Sequence, residues 1–299
     1  LKKVILASLI IIIVFLAGWQ GYSWRNSLLG QSVTPQPENN ETIAPPAPNE
    51  PNSPHQPVPA RVLDILGGSD KLTSQQWIVM QQWRSSVKQS ATDNPTTVFI
   101  NGSGAKPEVA LTFDDGPDDE ITPQVLDILR EYRVTATFFF KGNQLDNYAG
   151  VVKQAYTAGN LIASHAYSHQ ELDKMNQTDI DKEIAASDRV FKRVIGVVPA
   201  MIRPPFGSIN QDVLDVCQKQ QEKIILWSID TLDWSEPEPE HIAKNVLDNV
   251  RPGDIILMHS VQGREATVQA LPLIIKGLQA KGYAMVNLSE LLTIPAYKN

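Results

Sequence analysis

The chain has 299 residues, of which 42% are hydrophobic and 20% charged, a globular composition with room for one large domain plus appendages. Its formal net charge of -7 argues against a nucleic-acid or other polyanionic partner, which would call for a basic face. A single cysteine, Cys217, rules out an intrachain disulfide, and its place in an apolar-periodic run reads as a buried thiol.

The chain opens with Lys2 and Lys3 ahead of an almost wholly apolar run over residues 4–19. Charge followed by an apolar stretch is the pattern of a signal peptide or signal anchor. Sixteen helical residues rise about 24 Å, slightly less than a hydrocarbon core of ~30 Å. Trp19, Tyr22 and Trp24 follow, suited to the membrane interface. Gly21-Tyr22-Ser23 is only a weak cleavage site. Residues 1–30 therefore read as a retained single-pass membrane anchor with the remainder extracytoplasmic. Cleavage and secretion is the alternative.

Residues 31–60 hold nine of the 21 prolines and almost no large apolar side chains. Such a segment cannot bury enough surface to offset its ordering entropy, so it reads as an extended, disordered linker. Residues 61–105 recover apolar content. Trp77, Met80, Trp83 and Val87 recur at helical spacing, and Thr73 to Gln76 has the form of a capping box. This extension is expected to pack a helix on the main domain; a carbohydrate-contacting or dimerising face is the other reading. The sequence is silent on oligomeric state.

Residues 106–299 alternate strand and helix. Strand patterns fall at 109–113, 136–140, 161–164, 200–203, 223–229, 255–258 and 283–287. Helical patterns fall at 122–132, 150–158, 178–194, 211–220, 239–250 and 266–280. The alternation predicts an α/β fold, a distorted (β/α) barrel of about seven parallel strands, with an open doubly wound sheet as alternative. Asp114, Asp115, His165, His169, Arg203, Asp230, Asp233 and His259 all end or follow a predicted strand. A barrel gathers its chemistry at that rim.

His165 and His169 are four residues apart and, with one carboxylate, make a His₂Asp set that leaves positions open for water and substrate. Alone, this spacing is a weak signal. Beside Asp114-Asp115 on one rim it predicts a divalent metal, Zn²⁺ first, with Co²⁺, Ni²⁺ or Mn²⁺ as alternatives. Adjacent carboxylates can divide metal binding and general-base work, provided a bend at Gly116-Pro117 aims both at the site.

Thr112-Phe113-Asp114-Asp115-Gly116-Pro117 resembles the first motif of the polysaccharide deacetylases, carbohydrate esterase family 4, with its NodB-like domain. His165 to His169 is similar to the second motif and Arg203-Pro204-Pro205-Phe206-Gly207 to the third. Asp230-Thr231-Leu232-Asp233-Trp234 resembles the fourth and Leu257-Met258-His259 the fifth, in family order. The resemblance implies metal ligation by Asp115, His165 and His169. It implies Asp114 as the base that deprotonates the attacking water, held by Arg203. It implies His259 as the acid that protonates the leaving amine, oriented by Asp233. Phe206 would offer a backbone N–H to the oxyanion, and Trp234 and Leu257 would line the pocket for the acetyl methyl.

Three positions depart from the family pattern: Ala166 where Ser or Thr is usual, Gln170 for a common Pro, and Ser260 for a common Asp. They put loop rigidity and metal affinity in question, not the reaction. With the anchor and linker, the resemblance implies N-deacetylation of peptidoglycan N-acetylglucosamine. Chitin oligomers or an exopolysaccharide are alternative substrates. A non-catalytic glycan-binding wall protein is the alternative from another class, one expected to have lost Asp114 or His259.

Overall fold

The computed structural model describes residues 61–298. The apolar run at 4–19 and the linker at 31–60 lie outside them. Among the described residues no helix is long and apolar enough to cross a membrane.

The chain enters along one edge of a parallel sheet, where Leu66 bridges Ile229, and then forms helix α1 (Ser74–Asp93). Thr73 caps α1 through the reciprocal side-chain and backbone bonds with Gln76 that its sequence signalled. The elements that follow are β1 (Val98–Phe99), β2 (Glu108–Asp114), α2 (Ile121–Tyr132), β3 (Thr137–Phe140), α3 (Ala149–Thr157) and β4 (Leu161–Ser164). Next come α4 (Gln177–Ile195), β5 (Met201–Ile202), α5 (Gln211–Lys219), β6 (Lys223–Ile225), β7 (Ile229–Asp230) and α6 (Pro239–Leu247). The last are β8 (Ile255–His259), α7 (Glu265–Ala280), β9 (Ala284–Met285) and α8 (Leu288–Leu292).

Every strand pair is parallel, in the order β1-β6-β5-β4-β3-β2-β8-β7, with β9 beside the start of β2. That order runs one way round a circle, as a distorted barrel does. A doubly wound sheet would reverse direction at a switch point. Side chains alternate between two apolar layers. Leu111, Phe113, Phe138, Phe140 and Ile256 face the outer helices, whereas Ala110, Phe139, Ala163 and Leu257 face inward. Cys217 is buried on α5.

Nine strands form rather than about seven. The two-residue β1 is too short to show a period. The apolar run at 223–229 breaks into β6 and β7, because the Ile225 and Leu226 carbonyls turn to the guanidinium of Arg203. Among the described residues β1 and β7, the two ends of the sheet, do not pair with each other, which leaves a seam. The extension covers it. Asn101 binds the Leu63 N–H and the Arg61 carbonyl at one side, and Leu66 exchanges backbone bonds with Ser228 and Asp230 at the other. Val87 and Ala91 of α1 are buried in one cluster with Ile65, Val98 and Ile100.

Candidate active site

Asp114 ends β2 and points inward to a fully buried guanidinium. Arg203 Nη1 donates to Asp114 Oδ1 at 2.7 Å and to Thr112 Oγ1 at 2.9 Å. Its Nε and Nη2 donate to the Ile225 and Leu226 carbonyls, each at 3.1 Å. The guanidinium also lies 4.1 Å from the Phe139 ring centroid. Every face of Arg203 is thus occupied, which makes it a rigid holder for the carboxylate. Burial raises the pKa of Asp114, while Arg203 and His259 oppose that rise and favour the charged form.

The backbone of Arg203 does a second job. Its carbonyl lies 2.7 Å from His165 Nδ1. A carbonyl can only accept, so Nδ1 carries the proton and Nε2 presents a lone pair to the site. Burial, and then the proximity of His169, hold the His165 pKa well below 6.5, which keeps the ring neutral.

The bend expected at Gly116-Pro117, whose peptide is cis, begins one residue earlier. Asp115 is left-handed, with φ 73°, which turns its carboxylate to the same side as that of Asp114. Of the eight non-glycine residues with positive φ among the described residues, five are Asp115, Ala166, His169, Phe206 and Leu232, all on the loops of this site. Such clustering marks backbone held against its preference where chemistry needs it.

His169 Nε2 lies 2.8 Å and His165 Nε2 3.7 Å from Asp115 Oδ1. The three ligand atoms fall within 4.8 Å of one another. Asp115 Oδ1 is buried and has no well-aligned hydrogen bond, although His169 is so close. An orphaned carboxylate oxygen facing two imidazole nitrogens is the donor set of a His₂Asp metal centre. The residues therefore fit a divalent ion. Burial alone would raise the Asp115 pKa, but His169, His259 and His165 outweigh it and hold the carboxyl well below its usual range.

The loop between the histidines lacks the hydroxyl that Ser or Thr would supply at Ala166, and its brace comes from α4. The Tyr167 and Ser168 N–H groups donate to Glu183 Oε2 at 3.2 and 2.8 Å, and Ser168 Oγ donates to Oε1 at 2.9 Å. Glu183 was not legible as a site residue, because it stands in an ordinary helical pattern. At the third departure, Ser260 is buried, and its N–H donates to the Asp114 carbonyl at 3.0 Å.

His259 ends β8 next to β2. Asp233 grips it twice, through His259 Nδ1 at 2.7 Å and the His259 N–H at 2.8 Å. Thr267, another residue missed in the sequence, donates to Asp233 Oδ2 at 2.7 Å. Burial would lower the His259 pKa, but Asp233, Asp115 and Asp114 overcome it and raise it to about 9. Asp233 moves the opposite way. Burial raises it, and His259, Thr267 and Arg264 together bring it below 3.8. The arrangement favours the charged imidazole, with Nδ1 committed to Asp233.

The predicted lining residues are placed less uniformly. Leu257 is buried in β8 within the inner layer. The Phe206 ring packs edge-on against His169 with centroids 4.8 Å apart. Trp234 is 42% exposed and borders a cleft of about 390 Å³ with Asp233, Arg264 and Gln269. Asp230 accepts the Leu232 N–H at 2.9 Å, so it braces the loop. A second group of possible ligands, Asp70, Glu236 and His241, lies in a separate cleft. Its members already have partners: Lys71 lies 3.9 Å from Asp70, and Ser69 and His241 bind Glu236. That group holds a loop together.

Comparison with known proteins points the same way. The profile of the polysaccharide deacetylase family matches residues 101–224. A peptidoglycan-N-acetylglucosamine deacetylase of Bacillus cereus is 40% identical over 194 residues, 64% of this chain and 70% of that one. A solved peptidoglycan N-acetylglucosamine deacetylase, 36% identical, superposes with a TM-score of 0.67 over 70% of this chain and 98% of its own. A solved CE4 family pseudoenzyme of Bacillus anthracis is 28% identical with a TM-score of 0.62, over 65% and 68% of the two chains. Sequence, fold and the order of the strand-end residues converge, and the chain belongs to the polysaccharide deacetylase family.

Proposed function

We propose that this chain removes N-acetyl groups from N-acetylglucosamine residues of peptidoglycan, with one divalent ion, Zn²⁺ first, held by Asp115, His165 and His169. The observation that carries the reading is the double use of Arg203. One residue holds the Asp114 carboxylate at 2.7 Å and fixes the tautomer of His165 at 2.7 Å, so base and metal ligand are set by a single buried group. When bound, the ion supplies Lewis acidity toward the acetamide carbonyl and toward water. Asp114 takes the proton of the attacking water. The turn at Phe206 offers a backbone N–H to the developing oxyanion. His259 gives its Nε2 proton to the departing amine nitrogen, and Asp233 stabilises the imidazolium until it does. Trp234 and Leu257 contact the acetyl methyl.

Peptidoglycan is preferred because similar proteins carry that activity in their names and because the sequence ahead of residue 61 reads as a membrane anchor and spacer. The pseudoenzyme among the neighbours makes a non-catalytic role the competing class. Asp114 and His259, whose loss would mark such a role, are both present. Acetate release measured side by side on peptidoglycan, chitin oligomers and an acetylated exopolysaccharide decides the substrate. Peptidoglycan should be turned over fastest, and a strong preference for chitin oligomers would overturn the assignment. Fractionation of cells making the full chain tests the anchor, which places the protein in the membrane pellet and not in the medium.

A further inference from the structure

Helix α1 lies outside residues 101–224, the span of the family match. Two adjacent side chains of α1 nevertheless reach the turn that follows β5 and the segment that lies along β7 at the seam. Trp83 Nε1 donates to the Gly207 carbonyl at 3.1 Å. Its ring lies against Trp227, in the break between β6 and β7, with centroids 5.0 Å apart. Arg84 Nη2 donates to the Gly67 carbonyl at 2.9 Å. Gly67 abuts Asp230 so closely that a Cβ there would fall 2.0 Å from the Asp230 carbonyl oxygen. Asp230 in turn braces the loop that carries Asp233.

The grip on Gly207 is tight. Gly207 has φ 62°, and a Cβ on it would meet Trp83 at 2.6 Å and Trp227 at 2.9 Å. The preceding residue, Phe206, is itself left-handed at φ 61° and packs on His169. A phenylalanine in that conformation persists only where its surroundings hold it. Trp83 is the side chain of α1 that touches the next residue, Gly207. The helix is fastened to the barrel lower down, by the buried Val87 and Ala91. Trp83 adds a directed hydrogen bond and a flat surface at the level of the rim.

We propose that α1 is a clamp across the barrel seam and that Trp83 is a positioning residue for the deacetylation, setting the Phe206–Gly207 turn against the His169 side of the site. The proposal rests on the deacetylase reading. Its effect on catalysis runs through geometry, because a misplacement of 1 Å at a reacting centre can cost about 100-fold.

The test compares the full chain with Trp83→Phe, which keeps a ring and loses the N–H, and with Val87→Ala, which loosens α1 away from the turn. Each is measured for kcat and KM on a glycan substrate, for Tm, and for backbone amide exchange at Phe206, Gly207 and Ser208. Trp83→Phe should lower kcat on the order of tenfold with KM within about twofold, and should speed exchange at the turn. Val87→Ala should lower Tm while leaving kcat and that exchange near wild type at temperatures well below its Tm. Unchanged kcat and exchange in Trp83→Phe, or equal kcat losses in both variants, overturns the clamp. Exchange reports on the turn without any turnover. A wild-type chain that releases no acetate overturns the deacetylase reading, and with it the catalytic role of Trp83.

Discussion

Arg203 Nη1 lies 2.7 Å from Asp114 Oδ1 in a contact closed to solvent, where each charge is the other's main compensation. Removing one partner of such a pair strands the other, at a cost of roughly 3–5 kcal/mol. Arg203→Lys keeps the charge but cannot span four acceptors from one nitrogen. The Ile225 and Leu226 carbonyls then lose their donors, each at a cost of about 1–3 kcal/mol. Urea unfolding should show that loss, and kcat should fall about 100-fold as Asp114 and His165 lose their alignment. Wild-type kcat in Arg203→Lys would contradict the holding role.

The pH dependence follows from two opposed groups. Asp114 must be ionised to act as base. Because burial raises its pKa, activity should climb with pH through a value above the usual 3.8. His259 must be protonated to act as acid, so activity should fall as pH rises through its pKa, about 9 in the protein without metal. A divalent ion nearby repels the imidazolium and brings that limb down. Asp233→Asn removes the charge that lifts His259 and leaves burial unopposed, so the alkaline limb of kcat/KM should move to lower pH. The stability tied to the raised His259 pKa is fully present below about 6.5 and is lost as pH rises through about 9, whereas that tied to the lowered Asp233 pKa is present above 3.8 and is lost as pH falls.

Glu183 holds the loop between His165 and His169 through three hydrogen bonds. Glu183→Ala should weaken zinc binding about 10- to 100-fold, the usual cost of losing an outer partner of a metal site. Titration calorimetry on the metal-free protein measures this directly. Unchanged affinity would show that the left-handed Ala166 and His169 hold themselves.

The sequence carries fold and site wherever a motif or a long period supplies the signal. Residues 114, 115, 165, 169, 203, 233 and 259 stand at strand ends because the βα alternation is regular, and the sheet order is that of a barrel. It was silent where the signal lay in a partner from elsewhere in the chain. Glu183 and Thr267 look like any helical polar residues, and only the folded loops show what they hold. The break at Leu226-Trp227-Ser228 was invisible because a guanidinium from β5 takes the carbonyls that a continuous strand would have used. Trp77 belongs to the apolar stripe of α1 yet is 37% exposed, since the helix is buried mainly from Trp83 onward.

The central claim is that Asp114 acts as base beside a metal held by other residues. Its most direct measurement is acetate release from peptidoglycan by the full chain with one equivalent of Zn²⁺, run beside Asp114→Asn with zinc binding measured on both. The account predicts steady release by the wild type, abolished by chelation and restored by zinc. It predicts a loss of about 10²–10⁴-fold in Asp114→Asn, with one zinc still bound. Turnover by Asp114→Asn within a few-fold of wild type, or loss of zinc along with activity, would contradict it.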